Sequence, residues 1–231
     1  AMVPLVKRLN LPSLRHVLKE ANNSQTLVIL RQFVENGFPM SFWFLMANIL
    51  TVGDRYVLQW FRGAIDVGIY TANYQLVHGT GVVVFSPFAL ALNPRLMQLW
   101  ERNEQKEALK LLRKIVVFGA LVGLAVVAAL FLLAPLVAAV FLGERFRAGA
   151  GVMPVIVLGM VIWHLSSYVQ KPLEFHERTR ELLVYVVIAT LVNFIANLLF
   201  VPVYGYWGAA WTTVLSYLVY AVLVALGSRR A

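Results

Sequence analysis

Cysteine is absent from all 231 residues, and charge is scarce, with only 13% of the chain Asp, Glu, Lys or Arg. The first absence excludes a disulfide framework, a thiolate metal site and a cysteine nucleophile. The second excludes an ordinary soluble domain, in which about 25% of residues are charged. Also missing are a phosphate-binding loop, an HExxH pair, a nucleophile elbow and a CxxC motif, so no enzyme is expected. The histidines His16, His78, His164 and His176 have no metal-ligand spacing, and neither a metal nor a cofactor is expected. A signal peptide is lacking as well. Residues 1–32 are mixed in polarity, with no compact apolar stretch before a small-residue cleavage site. The opening Ala1-Met2-Val3 reads as a cut end.

Apolar residues are what the chain has in excess: 60% of it is hydrophobic, with a mean hydropathy of +0.74. That is more than one soluble core can hold, because a soluble surface must still be covered by polar groups. Lipid is the natural solvent for the remainder. A bilayer core about 30 Å thick needs roughly 20 apolar residues in helix. Six stretches qualify, at 33–53, 67–93, 115–142, 150–171, 182–203 and 205–227. The predicted fold is therefore all-α: a polytopic membrane helix bundle of about six transmembrane helices over 33–228, preceded by a cytoplasmic amphipathic connector at 1–32.

The net charge of +9 would suggest a nucleic-acid partner only if it formed a basic face on a soluble body. Here the basic residues sit between apolar runs, and nucleic acid is excluded. Their distribution instead sets orientation. Sixteen lie in segments that alternate onto one side, at 1–31, 95–114, 171–181 and the tail. Four, Arg55, Arg62, Arg145 and Arg147, lie on the other. The positive-inside rule puts both termini in the cytoplasm. The longest outer loop runs from Asp54 to Asp66, so no folded domain is expected outside. Residues 95–114 read as an amphipathic helix along the membrane, and 5–20 as a weaker one.

Polar residues inside spans are costly and tend to face a bundle interior or a water-filled cavity. Ser41, Asn48, Thr51 and Arg55 share a face of the first span, and Thr71, Tyr74, Gln75 and His78 a face of the second. The fourth carries His164, Ser167, Tyr168 and Lys171, the fifth Thr190, Asn193 and Asn197, and the sixth Thr213, Ser216 and Tyr220. The third, 115–142, has no charge and no such stripe, and is expected to face lipid. Single residues of this kind serve packing by interhelical hydrogen bonds. Five stripes together predict a hydrated path involving Asn48, Arg55, Gln75, His78, His164, Asn193 and Asn197. Arg55 has two readings, as a ligand for phosphate or as the partner of Asp54 or Asp66. Gly119 and Gly123 form a GxxxG that predicts close helix packing, and Pro39, Pro87 and Pro135 mark possible bends.

The string Asp54-Arg55-Tyr56-Val57-Leu58, followed by Val67-Gly68-Ile69-Tyr70-Thr71-Ala72, resembles the junction of the seventh and eighth helices of polysaccharide-export flippases. These belong to the multidrug/oligosaccharidyl-lipid/polysaccharide superfamily. Phe88-Ala89 through Asn93-Pro94 resembles the end of the eighth helix. Asn193, Asn197 and Pro202-Val203-Tyr204-Gly205-Tyr206-Trp207-Gly208-Ala209-Ala210 resemble the eleventh-to-twelfth junction. The resemblance covers about residues 33–220. It implies the second lobe of a two-lobed transporter, with the first lobe as a missing partner. It also implies the bacterial inner membrane, membrane lipids as surroundings and a polyprenyl-pyrophosphate-linked oligosaccharide as substrate, moved for O-antigen or exopolysaccharide synthesis. A drug/cation antiporter of the same superfamily and a non-transporting assembly subunit stand as alternatives. A membrane polymerase or ligase needs an outer catalytic loop, and the short outer connections argue against it.

Overall fold

The computed structural model describes residues 24–230, and its regular elements are all helical. Helix α1 (Ser24–Glu101) is two limbs, 24–62 and 64–101, meeting at Gly63, whose φ of 81° and ψ of −177° lie in a region open essentially to glycine alone. The limbs fold back on each other, as the hydrogen bond from Tyr70 to Asp54 attests. There follow α2 (Gln105–Phe141), a short α3 (Glu144–Arg147), a 3₁₀ turn (Ala150–Val152), α4 (Met153–Val169), α5 (Lys171–Phe175), α6 (Thr179–Tyr204) and α7 (Tyr206–Ser228). Helix is what lipid demands, because every backbone polar group must be satisfied within its own segment.

Among the described residues four segments are long and apolar enough to cross a membrane: Gln105–Phe141, Ala150–Phe175, Thr179–Tyr204 and Tyr206–Ser228. The limbs of α1, which the sequence assigns as the first two spans, are more polar. The protein is an all-α membrane helix bundle. In it α1 lies along α6, α6 along α7, α7 along α4 and α4 along α2. Helix α2 buries a narrow stripe of small residues, including Gly123, Val127, Ala134 and Ala138, and exposes Phe131, Leu132 and Leu136. The GxxxG does bring helices close: a Cβ on Gly119 would stand 2.9 Å from Leu165, and one on Gly123 2.5 Å from Val161.

Connections gather at two ends. At one, Gly63 and Gly205 make the reversals, and Gly205 sits beside Arg62 and Asp66. Two arginines there close helix C-termini, where carbonyls lack partners. Arg62 donates to the Val203 carbonyl (2.8 Å), and Arg147 to those of Leu142 (3.0 Å) and Ala139 (2.9 Å). At the opposite end Trp100 stacks on Phe175 at 4.7 Å, and the Ser228 hydroxyl donates to Val169 (2.7 Å).

Two local expectations change. The outer loop Asp54–Asp66 is not a loop, since helix continues through both flanks and only Gly63 departs from it. No turn residue stands between Asp54 and Gly63, so the chain has no reason to stop earlier. Nor is 95–114 one helix. It breaks after Glu101, where Asn103 takes a φ of 59°. Glu104 N–H then bonds Leu99 C=O (2.9 Å) and Asn103 N–H bonds Trp100 C=O (3.0 Å), the paired closure of a left-handed helix stop. Of the 1–32 connector, 24–32 is helix in α1, and the surface helix expected at 5–20 lies outside the described residues.

Candidate functional site

Asp54 is fully buried, and the hairpin explains what holds it. It stands nine residues before Gly63 and Tyr70 seven after, so both lie roughly 10–13 Å below the turn at 1.5 Å per residue. At that level the Tyr70 hydroxyl donates to Asp54 Oδ2 (2.7 Å) and the Thr213 hydroxyl approaches the same oxygen at 3.4 Å from α7. Arg55 places Nη1 at 3.7 Å from Asp54 Oδ1 and donates to the Thr51 carbonyl at 2.9 Å. Of Arg55's two readings, the structure realises the pairing with Asp54. The pair lies inside the bundle, two turns deeper than the outer end where the sequence placed it.

From this clasp a ladder runs along the second limb of α1. The Arg55 guanidinium lies 4.3 Å from the centre of the Tyr74 ring, a cation–π contact. Tyr74 stacks on His78, centroids 5.8 Å apart and planes 17° from parallel. His78 is exposed and ends the ladder. His164 of α4 lines a cavity of about 820 Å³ between both limbs of α1, the start of α2 and the α4–α5 segment. The ladder arises because Tyr70, Tyr74 and His78 recur at four-residue spacing on one helix face.

The cavity is two-sided in chemistry. Phe44, Leu92, Ile115, Phe118, Val122 and Leu165 form apolar wall, while His164, Ser167, Tyr168 and Lys171, the polar stripe read from the fourth span, and Gln170 add polar groups. Four of its lining residues, Trp43, Gln170, Lys171 and Glu174, belong to one hydrogen-bond chain. Trp43 donates to the Tyr220 hydroxyl (2.9 Å), which donates to Gln170 Oε1 (2.6 Å). Gln170 donates to Glu174 (2.5 Å), and Lys171 pairs with the other Glu174 oxygen at 2.6 Å. A site of this volume, mostly apolar with a few converging polar groups, suits an amphiphilic ligand.

Of the residues read from the sequence, Arg55 and His78 are joined through Tyr74 by the ladder, and His164 lines the cavity. Asn48 and Gln75 are exposed on α1, and Asn48 Nδ2 donates to its own helix at Phe44 (2.8 Å). Asn193 and Asn197 do not reach the ladder. Both are buried, with Asn197 donating to Asn193 Oδ1 (2.9 Å) and accepting from Thr212 (2.8 Å) across the α6–α7 seam. The α7 stripe is likewise internal: Thr213 and Ser216 are buried, and Ser216 donates to Thr212 (2.7 Å). The Thr212–Asn197 bond joins the two helices, while the Ser216 and Asn193 bonds stay within their own helix. Asp54, Tyr70 and Thr213 were not read as a group. The signal for Asp54 was an acid placed deep in a segment with no turn chemistry before Gly63. Its partner on α7 lies 159 residues away, beyond any local pattern.

Residues 8–100 match the model of a family described as polysaccharide biosynthesis protein. The match spans both limbs of α1, and hence Asp54, Arg55, Tyr74 and His78, and stops short of α2. Searches of the curated proteins and of the solved structures found no significant match.

Proposed function

We propose, from the likeness of the α1 hairpin to polysaccharide biosynthesis proteins, that this chain is a lobe of a membrane transporter. Its cargo is an oligosaccharide linked to a polyprenyl pyrophosphate, turned from the cytoplasmic to the outer leaflet of the bacterial inner membrane. A diphosphate cannot cross about 30 Å of hydrocarbon bare, since one unpaired buried charge costs several kcal/mol or more. The observation that carries the reading is the stack of Arg55 on Tyr74 and of Tyr74 on His78, a line of polar groups along the α1 hairpin, with His164 lining the neighbouring cavity. Gln75 and Asn48, exposed on the same hairpin, supply amide groups for sugar hydroxyls. The missing first lobe completes the passage, and both termini face the cytoplasm.

The test replaces the chromosomal copy with Gln75→Leu or His78→Ala and follows surface glycan together with lipid-linked precursor. Each variant is expected to lower glycan display and to accumulate precursor on the inner leaflet, at unchanged membrane levels of the protein. Full display by both variants overturns the reading.

A further inference from the structure

The outward face of α2 takes no part in the clasp or the cavity. Helix α2 runs unbroken from Gln105 to Phe141, so the basic segment at its start continues the axis of the span instead of lying along the membrane. Lys106, Lys110, Arg113, Val117, Leu121 and Leu124 follow one another at three- and four-residue steps, which sets them in one stripe down the helix. All six are exposed, and α2 packs on the bundle by its other side, through Ala108, Leu112, Gly123 and Val127. Lys110 is paired with Glu107 at 2.7 Å, whereas among the described residues no carboxylate pairs with Lys106 or Arg113. The stripe changes character once, and the two lengths fit one leaflet. Lys106 to Arg113 covers roughly 10 Å, enough for a headgroup layer of roughly 5–8 Å. Arg113 to Leu124 covers roughly 16 Å, the hydrocarbon depth of half a bilayer. An acidic protein segment would meet the cations but not the apolar half of the stripe, which lies at the level of hydrocarbon. A zwitterionic lipid brings a cation of its own to Lys106 and Arg113, and an anionic one does not.

We propose that this stripe binds an anionic phospholipid of the leaflet at the Trp100–Phe175 pole, its headgroup between Lys106 and Arg113 and an acyl chain along Val117, Leu121 and Leu124. Such a site is independent of the cargo that the bundle carries. A lipid held there sets the depth of α2, whose 37 residues exceed what about 30 Å of hydrocarbon requires.

The test places a bimane fluorophore on Leu121→Cys in the full chain, held in phosphatidylcholine nanodiscs. A low, equal mole fraction of doxyl-labelled phosphatidylglycerol or doxyl-labelled phosphatidylcholine is then added as quencher. Phosphatidylglycerol is expected to quench the more strongly. Arg113→Gln should lower that preference about fivefold, the worth of one cation at an anionic lipid surface, and adding Lys106→Gln should remove the rest. Both side chains are exposed, so their replacement does not threaten folding. Ile188→Cys on α6, exposed eight residues past Arg180, carries the same fluorophore at a matched depth and should show little preference. Equal quenching by the two lipids at Leu121→Cys overturns the proposal, as does a preference that survives the double replacement. A preference of the same size at Ile188→Cys traces the attraction to the basic pole as a whole and overturns the α2 site.

Discussion

A carboxylate in the interior of a membrane bundle needs its charge and its lone pairs met: on Asp54 the Tyr70 and Thr213 hydroxyls serve Oδ2, while Oδ1 has the Arg55 charge at 3.7 Å and no hydrogen bond. Tyr70→Phe removes the shortest of these contacts (2.7 Å) and leaves a fully buried oxygen short of a donor. The expected loss is about 1–3 kcal/mol, read as a lower melting temperature in detergent. Arg55→Ala should cost more, about 3–5 kcal/mol, because Asp54 is then buried without a counter-charge. Adding Asp54→Ala to Arg55→Ala should restore part of that loss. No recovery in the double variant would show that Arg55 is held by something other than Asp54. Arg55→Lys keeps the charge but loses the guanidinium that lies 4.3 Å from the centre of the Tyr74 ring.

Two element ends depend on single residues. Gly63 holds a φ of 81°, and a Cβ added to it would meet nothing within 4 Å, so the obstacle to a side chain there is the backbone and not space. Gly63→Ala should therefore destabilise by about 1–3 kcal/mol, measured by thermal unfolding in detergent. Asn103 is tolerated at its left-handed helix stop because its short polar side chain suits that conformation. Asn103→Val should cost about 1–2 kcal/mol, whereas Asn103→Gly should not. The all-helical membrane bundle, the exposed apolar face of α2 and the Gly119–Gly123 packing were legible because hydropathy and small-residue spacing are local. The reversal between the first two spans was legible too, but not its tightness: a single glycine makes the turn where a loop from Asp54 to Asp66 was expected. The burial of Asn193 and Asn197 was also hidden. A polar stripe looks the same from sequence whether it faces water or a neighbouring helix, and only the arrival of Thr212 decides.

Across the whole molecule the connections sort by charge. Arg62 and Arg147 are committed to helix ends at the Gly63 pole, and the bulk of the described lysines and arginines lie toward the pole of Trp100, Phe175 and Ser228. Because the chain lacks cysteine, single cysteines report cleanly. Asn103→Cys should resist an impermeant maleimide added to intact cells and react in inverted vesicles, and Arg145→Cys should do the reverse. Labelling of Cys at 103 from outside would invert the assigned topology. The clasp on Asp54 also has a history in time. Its helix is made first and Thr213 comes 159 residues later, a delay of roughly 8–30 s at ribosomal speed. Through that interval the nascent hairpin must shelter its own acid, with Arg55 beside it and Tyr70 only 16 residues behind. The α1 hairpin is thereby suited to enter the bilayer as one preassembled piece, onto which the later helices are added.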